Sequence, residues 1–401
     1  MDLIKLAAIF ASILLVLRFK KPLYAAILIG ALCTVLLYKI PPGAVAIVSG
    51  KALISPTTIS LVLAFYTITF LQRMLEHRGH IMLAEQSLSG LFNSRRVNAM
   101  IAPFIIGLLP SVAAVVIAAP IVDNAGGSYI SLEDKTFITS YFRHISESFL
   151  PTYSSIILAL KLSGVDMTAF VLAMLPMVAV LFALGYALYV RKIPVETGVP
   201  DSKDKKKDLQ NLFFSLWTIG LTILIILILK WQVYYAVTFV ILLSFVANRF
   251  TIKEILPMFV SAYEAKLMVN AVVIMVFKDI LAYTGIISRL PDIFSGLPIP
   301  PVVIFSLIFL LGTLVAGSQA IIAIGIPLAF AAIPSGGVVL LVLLMCMTYI
   351  AMQISPAHVC LAVVIEVFDT SFFDLVKRTM PVMLAFLVIA TAYTYILSII
   401  L

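Results

Sequence analysis

Shifted along itself by about 206 positions, the chain repeats its own pattern, and this internal repeat restricts its fold more than any other feature. LEHRG at 75–79 with Gly90-Leu91 lines up with LAYTG at 281–285 with Gly296-Leu297. LLPSVAAVVIAAP at 108–120 falls opposite LVAGSQAIIAIGIP at 314–327 with one residue of slippage. SFLP at 148–151 then meets QISP at 353–356, and MLPM at 174–177 meets TMPV at 379–382. In a chain that lives in lipid, half-length repeats point to architectures in which two related halves frame a site between them.

Composition decides the solvent. With 63% hydrophobic and 11% charged residues, a chain of 401 residues lacks the polar surface of a water-soluble globule, and its mean hydropathy is +1.16. Apolar stretches near the roughly 20 residues that cross hydrocarbon recur throughout, and the alternating pattern of a barrel does not appear. Cys33, Cys346 and Cys360 lie inside apolar segments without metal-ligand spacing and read as small core residues. The first apolar segment has no small-residue cleavage site and is followed at once by another, so it reads as a retained helix.

The apolar runs fall at 3–17, 22–40, 56–74, 97–122, 141–162 and 167–190, and again at 212–229, 233–247, 267–283, 301–333, 338–366 and 381–400. Two are overlong and carry helix breakers: Pro103, Gly107, Pro110 and Pro120 in the first, Gly312, Gly317, Gly325 and Pro327 in the second. Read as re-entrant hairpins, they leave five crossings per half, an odd number that inverts the second half relative to the first. Most of the 27 basic residues, Arg143 and Lys135 among them, then fall on one side; Lys5, Lys39, Lys51, Lys161, Lys230, Lys278 and Arg289 fall on the other. The richer side is cytoplasmic by the positive-inside rule. The net charge of +8 is explained by orientation and anionic lipid rather than by nucleic acid.

The expected fold is an all-α polytopic membrane protein of two inverted repeats of five transmembrane helices, each with a re-entrant helical hairpin and a broken helix. Residues 1–190 form the first repeat, with hairpin 97–122 and broken helix 141–162. Residues 191–210 form a cytoplasmic linker, and 211–401 form the second repeat, with hairpin 301–333 and broken helix 338–366. The chain is expected to be multi-pass in the cell inner (cytoplasmic) membrane, both termini extracytoplasmic.

Opposed hairpins bring their tips together near the midplane, beside the two breaks, where unwound backbone leaves amides and carbonyls for a ligand. The candidate substrate-binding residues are therefore Pro110, Ser111, Ser318 and Gln319 at the tips, and Thr152, Ser154, Ser355 and His358 at the breaks. Glu147 and His358 are the candidates for ion or proton coupling, because ionisable groups at membrane depth usually face a cavity. Asp123-Asn124 and Arg143-His144 are read as solvated or capping residues toward the cytoplasmic mouth. No cofactor, catalytic residue or metal ligand is expected, since no nucleotide, metalloprotease or nucleophile-elbow motif is present.

Opposed hairpins followed by broken helices, within an inverted repeat, resemble the ion transporter superfamily of divalent-anion sodium symporters, citrate transporters and gluconate permeases. Within it the chain is similar to a family of prokaryotic integral membrane proteins. The dicarboxylate branch carries Ser-Asn-Thr at each tip; the corresponding places here read Pro110-Ser111-Val112 and Gly317-Ser318-Gln319, so only the serine carries over. The resemblance implies a non-enzymatic secondary transporter that moves a small organic anion, a carboxylate by preference, coupled to H+ or Na+. It also implies a transport domain sliding against a scaffold in an elevator mechanism, and a homodimer joined through that scaffold. A cation/proton antiporter using Glu147 or Glu366 is the alternative; an intramembrane enzyme or passive channel ranks below it.

Overall fold

A computed structural model describes residues 2–19, 21–91, 94–108, 113–195, 204–356 and 358–400, apart from the side chains at 81, 85, 89, 90, 113 and 295. Among these residues there are twenty α-helices, two short 3-10 turns and no strand. The first half contains α1 (Asp2–Arg18), α2 (Leu23–Leu37), α3 (Pro42–Leu53), α4 (Pro56–His77), α5 (His80–Leu91), α6 (Arg95–Ile106), α7 (Ala113–Gly126), α8 (Leu132–Ile145), α9 (Ser154–Ser163) and α10 (Met167–Leu188). The second half contains α11 (Lys205–Ile228), α12 (Val233–Ala247), α13 (Ile252–Ser261), α14 (Ala265–Tyr283), α15 (Ile286–Ser295), α16 (Pro301–Ala316), α17 (Ser318–Ala332), α18 (Gly337–Met352), α19 (Val359–Val367) and α20 (Phe372–Ile400).

Local sequence sets the helix ends. Ser55 accepts from the Thr58 amide at 3.1 Å just before Pro56, which fills the first helical position of α4 where a missing N–H costs nothing. Asp166 starts α10 by accepting from Ala169 N at 2.9 Å, and Thr251 with Glu254 forms a reciprocal capping box on α13. Four helical stretches among the described residues are long and apolar enough to cross a membrane: Pro56–His77, Met167–Lys192, Lys205–Ile228 and Phe372–Ile400. A fifth arises if α14 and α15, bent by 72°, count as one span. The chain is a multi-pass, all-helical membrane protein.

The two halves list their helices in the same order, and contacts between them come in matched pairs. Helix α2 packs on α14 as α12 packs on α4; α3 meets α14 as α13 meets α4; α7 meets α19 as α17 meets α9; α8 meets α20 as α18 meets α10. Lipid tails are as apolar as leucine, so close packing rather than expulsion of water drives these contacts.

The runs at 97–122 and 301–333 are each two helices rather than one. α16 folds back on α17: a Cβ on Gly312 would strike Ile321 Cδ1 at 2.5 Å, and one on Gly325 would strike the Phe309 ring at 2.5 Å. Residues at nearly the same distance on either side of the turn therefore touch. The turn is Gly317, with φ 81° and ψ 161°, a backbone region that only glycine enters at little cost. The tip of the first hairpin, including Pro110 and Ser111, lies outside the described residues.

The run at 141–162 divides into α8, a 3-10 turn at Ser146–Ser148 and α9; the run at 338–366 divides into α18 and α19, separated by 353–358. Four helices go beyond the sequence expectation: α3, α5, α13 and α15. They are short, and α13 and α15 are strongly amphipathic, so a search for long apolar runs passes over them.

Candidate functional site

Arg143 is the largest fully buried side chain described, and it organises the centre of the molecule. The sequence pattern alone places it in solvent or at a helix cap near a cytoplasmic mouth. Instead it sits 1% exposed in the last turn of α8, and His144 beside it is wholly buried. Arg143 Nη1 donates to Glu147 Oε1 one helical turn on, across the point where α8 tightens into the 3-10 turn. It also lies 3.7 Å from Cys360 Sγ of α19. A charged pair so deep persists only because each partner compensates the other.

His144 closes the cluster toward the second break. Its Nδ1 stands 2.5 Å from the Ser140 carbonyl, which only accepts, so the hydrogen-bond network places the proton there and leaves Nε2 bare. That bare nitrogen is 2.9 Å from His358 Nε2, which must then be the donor. His144 Nε2 also lies 4.0 Å from Glu147 Oε1. His358 is the N-cap of α19, and Tyr153 holds the same place before α9.

Each break is tied to the hairpin arm that precedes it. Ser146 Oγ lies 2.6 Å from the Gly107 carbonyl, which also receives the Tyr153 hydroxyl. A Cβ at Gly107 would run into Ser146 Oγ at 2.9 Å and into the Arg143 carbonyl, so the close approach requires glycine. In the second half, Ser355 Oγ donates toward the Leu314 carbonyl at 3.1 Å. Gln319, just past the second hairpin turn, donates from Nε2 to Ser154 Oγ at 2.8 Å. α9, α17 and α19 all begin here, and in none does the N-cap side chain accept from the first turn, so their amide ends add positive potential.

Of the sequence candidates, the structure joins Gln319 to Ser154 and places Glu147 with His358 in one cluster. Ser355 is 1% exposed and bonded to backbone. Ser318 is half-buried as the first residue of α17. Thr152 Oγ1 is buried without a partner among the described residues, beside a narrow crevice of about 20 Å³, room for a water molecule, bounded by α4, α11 and α12. Gln72 and Thr222 are its other polar walls. Pro110 and Ser111 lie outside the described residues, and Glu366 is exposed near the end of α19.

Donor atoms of His144, Glu147, His358 and Cys360 gather within 4.8 Å of one another. Nitrogen, sulfur and carboxylate donors at this spacing suit a zinc-like ion in other settings. Here the Arg143 guanidinium already contacts both anionic candidates, Glu147 and Cys360, and a dication would sit against it. No metal is assigned to these residues.

The fold and cluster define a class: a multi-pass helical membrane protein with buried ionisable side chains where two helix breaks meet. The chain belongs to the family described as protein of unknown function (DUF401), whose profile matches residues 3–400. No curated protein matches it. Among solved structures it is similar to the YdaH transporter of Alcanivorax borkumensis, at 12% identity over 90% of each chain with a TM-score of 0.49.

Proposed function

We propose that this chain is a secondary active transporter for a small organic anion, a carboxylate by preference, and not an enzyme. The observation that carries the reading is the Arg143–Glu147–His144–His358 cluster, set where breaks from both halves of a lipid-embedded chain meet. Charged groups at such depth are costly, and they typically mark a substrate or ion pathway. The guanidinium supplies a carboxylate-binding fork, while the amide ends of α9, α17 and α19 with Ser154, Ser318 and Gln319 supply neutral donors.

In this reading the halves are inverted repeats. The hairpins α6–α7 and α16–α17, with the broken helices, form a transport domain moving elevator-fashion against a scaffold of α1–α4 and α11–α14. The crevice beside Thr152 lies along that boundary. Coupling to H+ or Na+ runs through Glu147 and His358. The protein works in the inner membrane as a homodimer, with its termini outside. A cation/proton antiporter would use the same Glu147, but Arg143 on its carboxylate opposes a cation there.

Alternating access tests the proposal. In a chain with its three cysteines replaced, Ser318→Cys should react with a membrane-impermeant thiol reagent from either side, each in a separate state. Simultaneous reactivity from both sides indicates a channel, and reactivity from neither removes the site from the pathway.

A further inference from the structure

Resting on the transporter reading, we propose that Glu147 and the substrate compete for one guanidinium, so that a proton on Glu147 hands Arg143 over to a single carboxylate. The protein then binds and carries monocarboxylates together with one proton.

Among the described residues the cluster holds one guanidinium, Arg143, and one carboxylate, Glu147, bonded to each other. A carboxylate ligand meeting that closed pair adds a buried negative charge with nothing to match it, which is expensive in a low-dielectric site. Protonating Glu147 removes its charge and lets the newcomer take its place at Arg143 Nη1. Site charge is then the same before and after binding. A dicarboxylate brings one charge more than the proton offsets, so the balance selects monoanions.

The other groups facing Glu147 are less suited to take the proton. His144 on its own helix has both ring nitrogens engaged, Nδ1 with the Ser140 carbonyl and Nε2 with His358. From the elements packed against it, His358 at the start of α19 donates from Nε2 to His144, and a proton added at its Nδ1 would leave the Arg143–Glu147 bond closed, while Tyr153, Tyr349 of α18 and Cys360 of α19 are weak acids, neutral in ordinary conditions. Glu147 keeps 10% side-chain exposure against 2% for Arg143, so water reaches the carboxylate first. By the repeat offset at the breaks, Thr348 and Met352 replace Arg143 and Glu147 on α18. The exchange therefore belongs to one half only, giving one proton and one anion per chain.

The test is calorimetric titration of the purified full-length protein with sodium acetate, in buffers of different ionisation enthalpy. The expected result is uptake of about one proton per acetate, with affinity falling about tenfold for each pH unit of rise while that proton is taken up. Glu147→Gln, which imitates the protonated carboxyl, should bind acetate with no proton uptake and no pH slope. Arg143→Lys should lose most of the affinity. Acetate binding without proton uptake, uptake that survives in Glu147→Gln, absence of acetate binding, or tighter succinate binding with the same single proton each overturns the exchange. Failure of the transporter reading shows differently, as proton-linked binding without flux across vesicles.

Discussion

His144 Nε2 and His358 Nε2 stand 2.9 Å apart although 214 residues separate them in sequence. This contact couples the end of α8 in one half to the start of α19 in the other, and it rests on a tautomer fixed by the Ser140 carbonyl. Removing either ring leaves a buried donor or acceptor without its partner, at about 1–3 kcal/mol. A double-mutant cycle of His144→Ala and His358→Ala, read by thermal unfolding in detergent, should give a coupling energy of about 0.5–3 kcal/mol. Strict additivity would show that the two rings do not meet.

Arg143→Ala should destabilise the protein by about 3–5 kcal/mol, because it leaves Glu147 as an uncompensated buried charge. The double variant Arg143→Met with Glu147→Met should recover most of that loss by removing both charges. Unfolding of the single and double variants checks this, and a double variant as unstable as the single one would contradict the pairing.

Gly317→Ala should cost about 1–3 kcal/mol, since φ 81° with ψ 161° is closed to L side chains whatever space surrounds it. Ser318→Ala next to it should leave stability nearly unchanged and weaken anion binding by about 1 kcal/mol through one lost hydrogen bond. Comparing melting and acetate titration for the pair separates hairpin geometry from ligand contact.

Cysteines introduced at Lys206 and Pro298, both exposed, should label from opposite faces of the membrane, Lys206 from the cytoplasm. Labelling of both from one face would remove the inverted arrangement of the halves.

Much of this was legible in sequence, for identifiable reasons. Ser148 to Pro151 and Gln353 to Pro356 announce the breaks because a proline cannot extend a helix backward, and Gly317 announces a turn that needs positive φ. Arg143 and His144, at the start of the run at 141–162, read as edge residues in sequence because basic residues at the ends of apolar runs ordinarily mark a cytoplasmic edge. The signal was present: Arg143 and Glu147 stand four apart, inside an apolar run, at the spacing that lets helical side chains pair. The His144–His358 contact had no such signal, since nothing in local spacing reveals a partner 214 residues away.

The most direct measurement of the central claim is uptake of radiolabelled small carboxylates into proteoliposomes under an imposed gradient. The account predicts accumulation above equilibrium when the proton gradient points inward, lost in Arg143→Lys and uncoupled from the gradient in Glu147→Gln. Flux that only equilibrates, or chemical conversion of the label without accumulation, would contradict it.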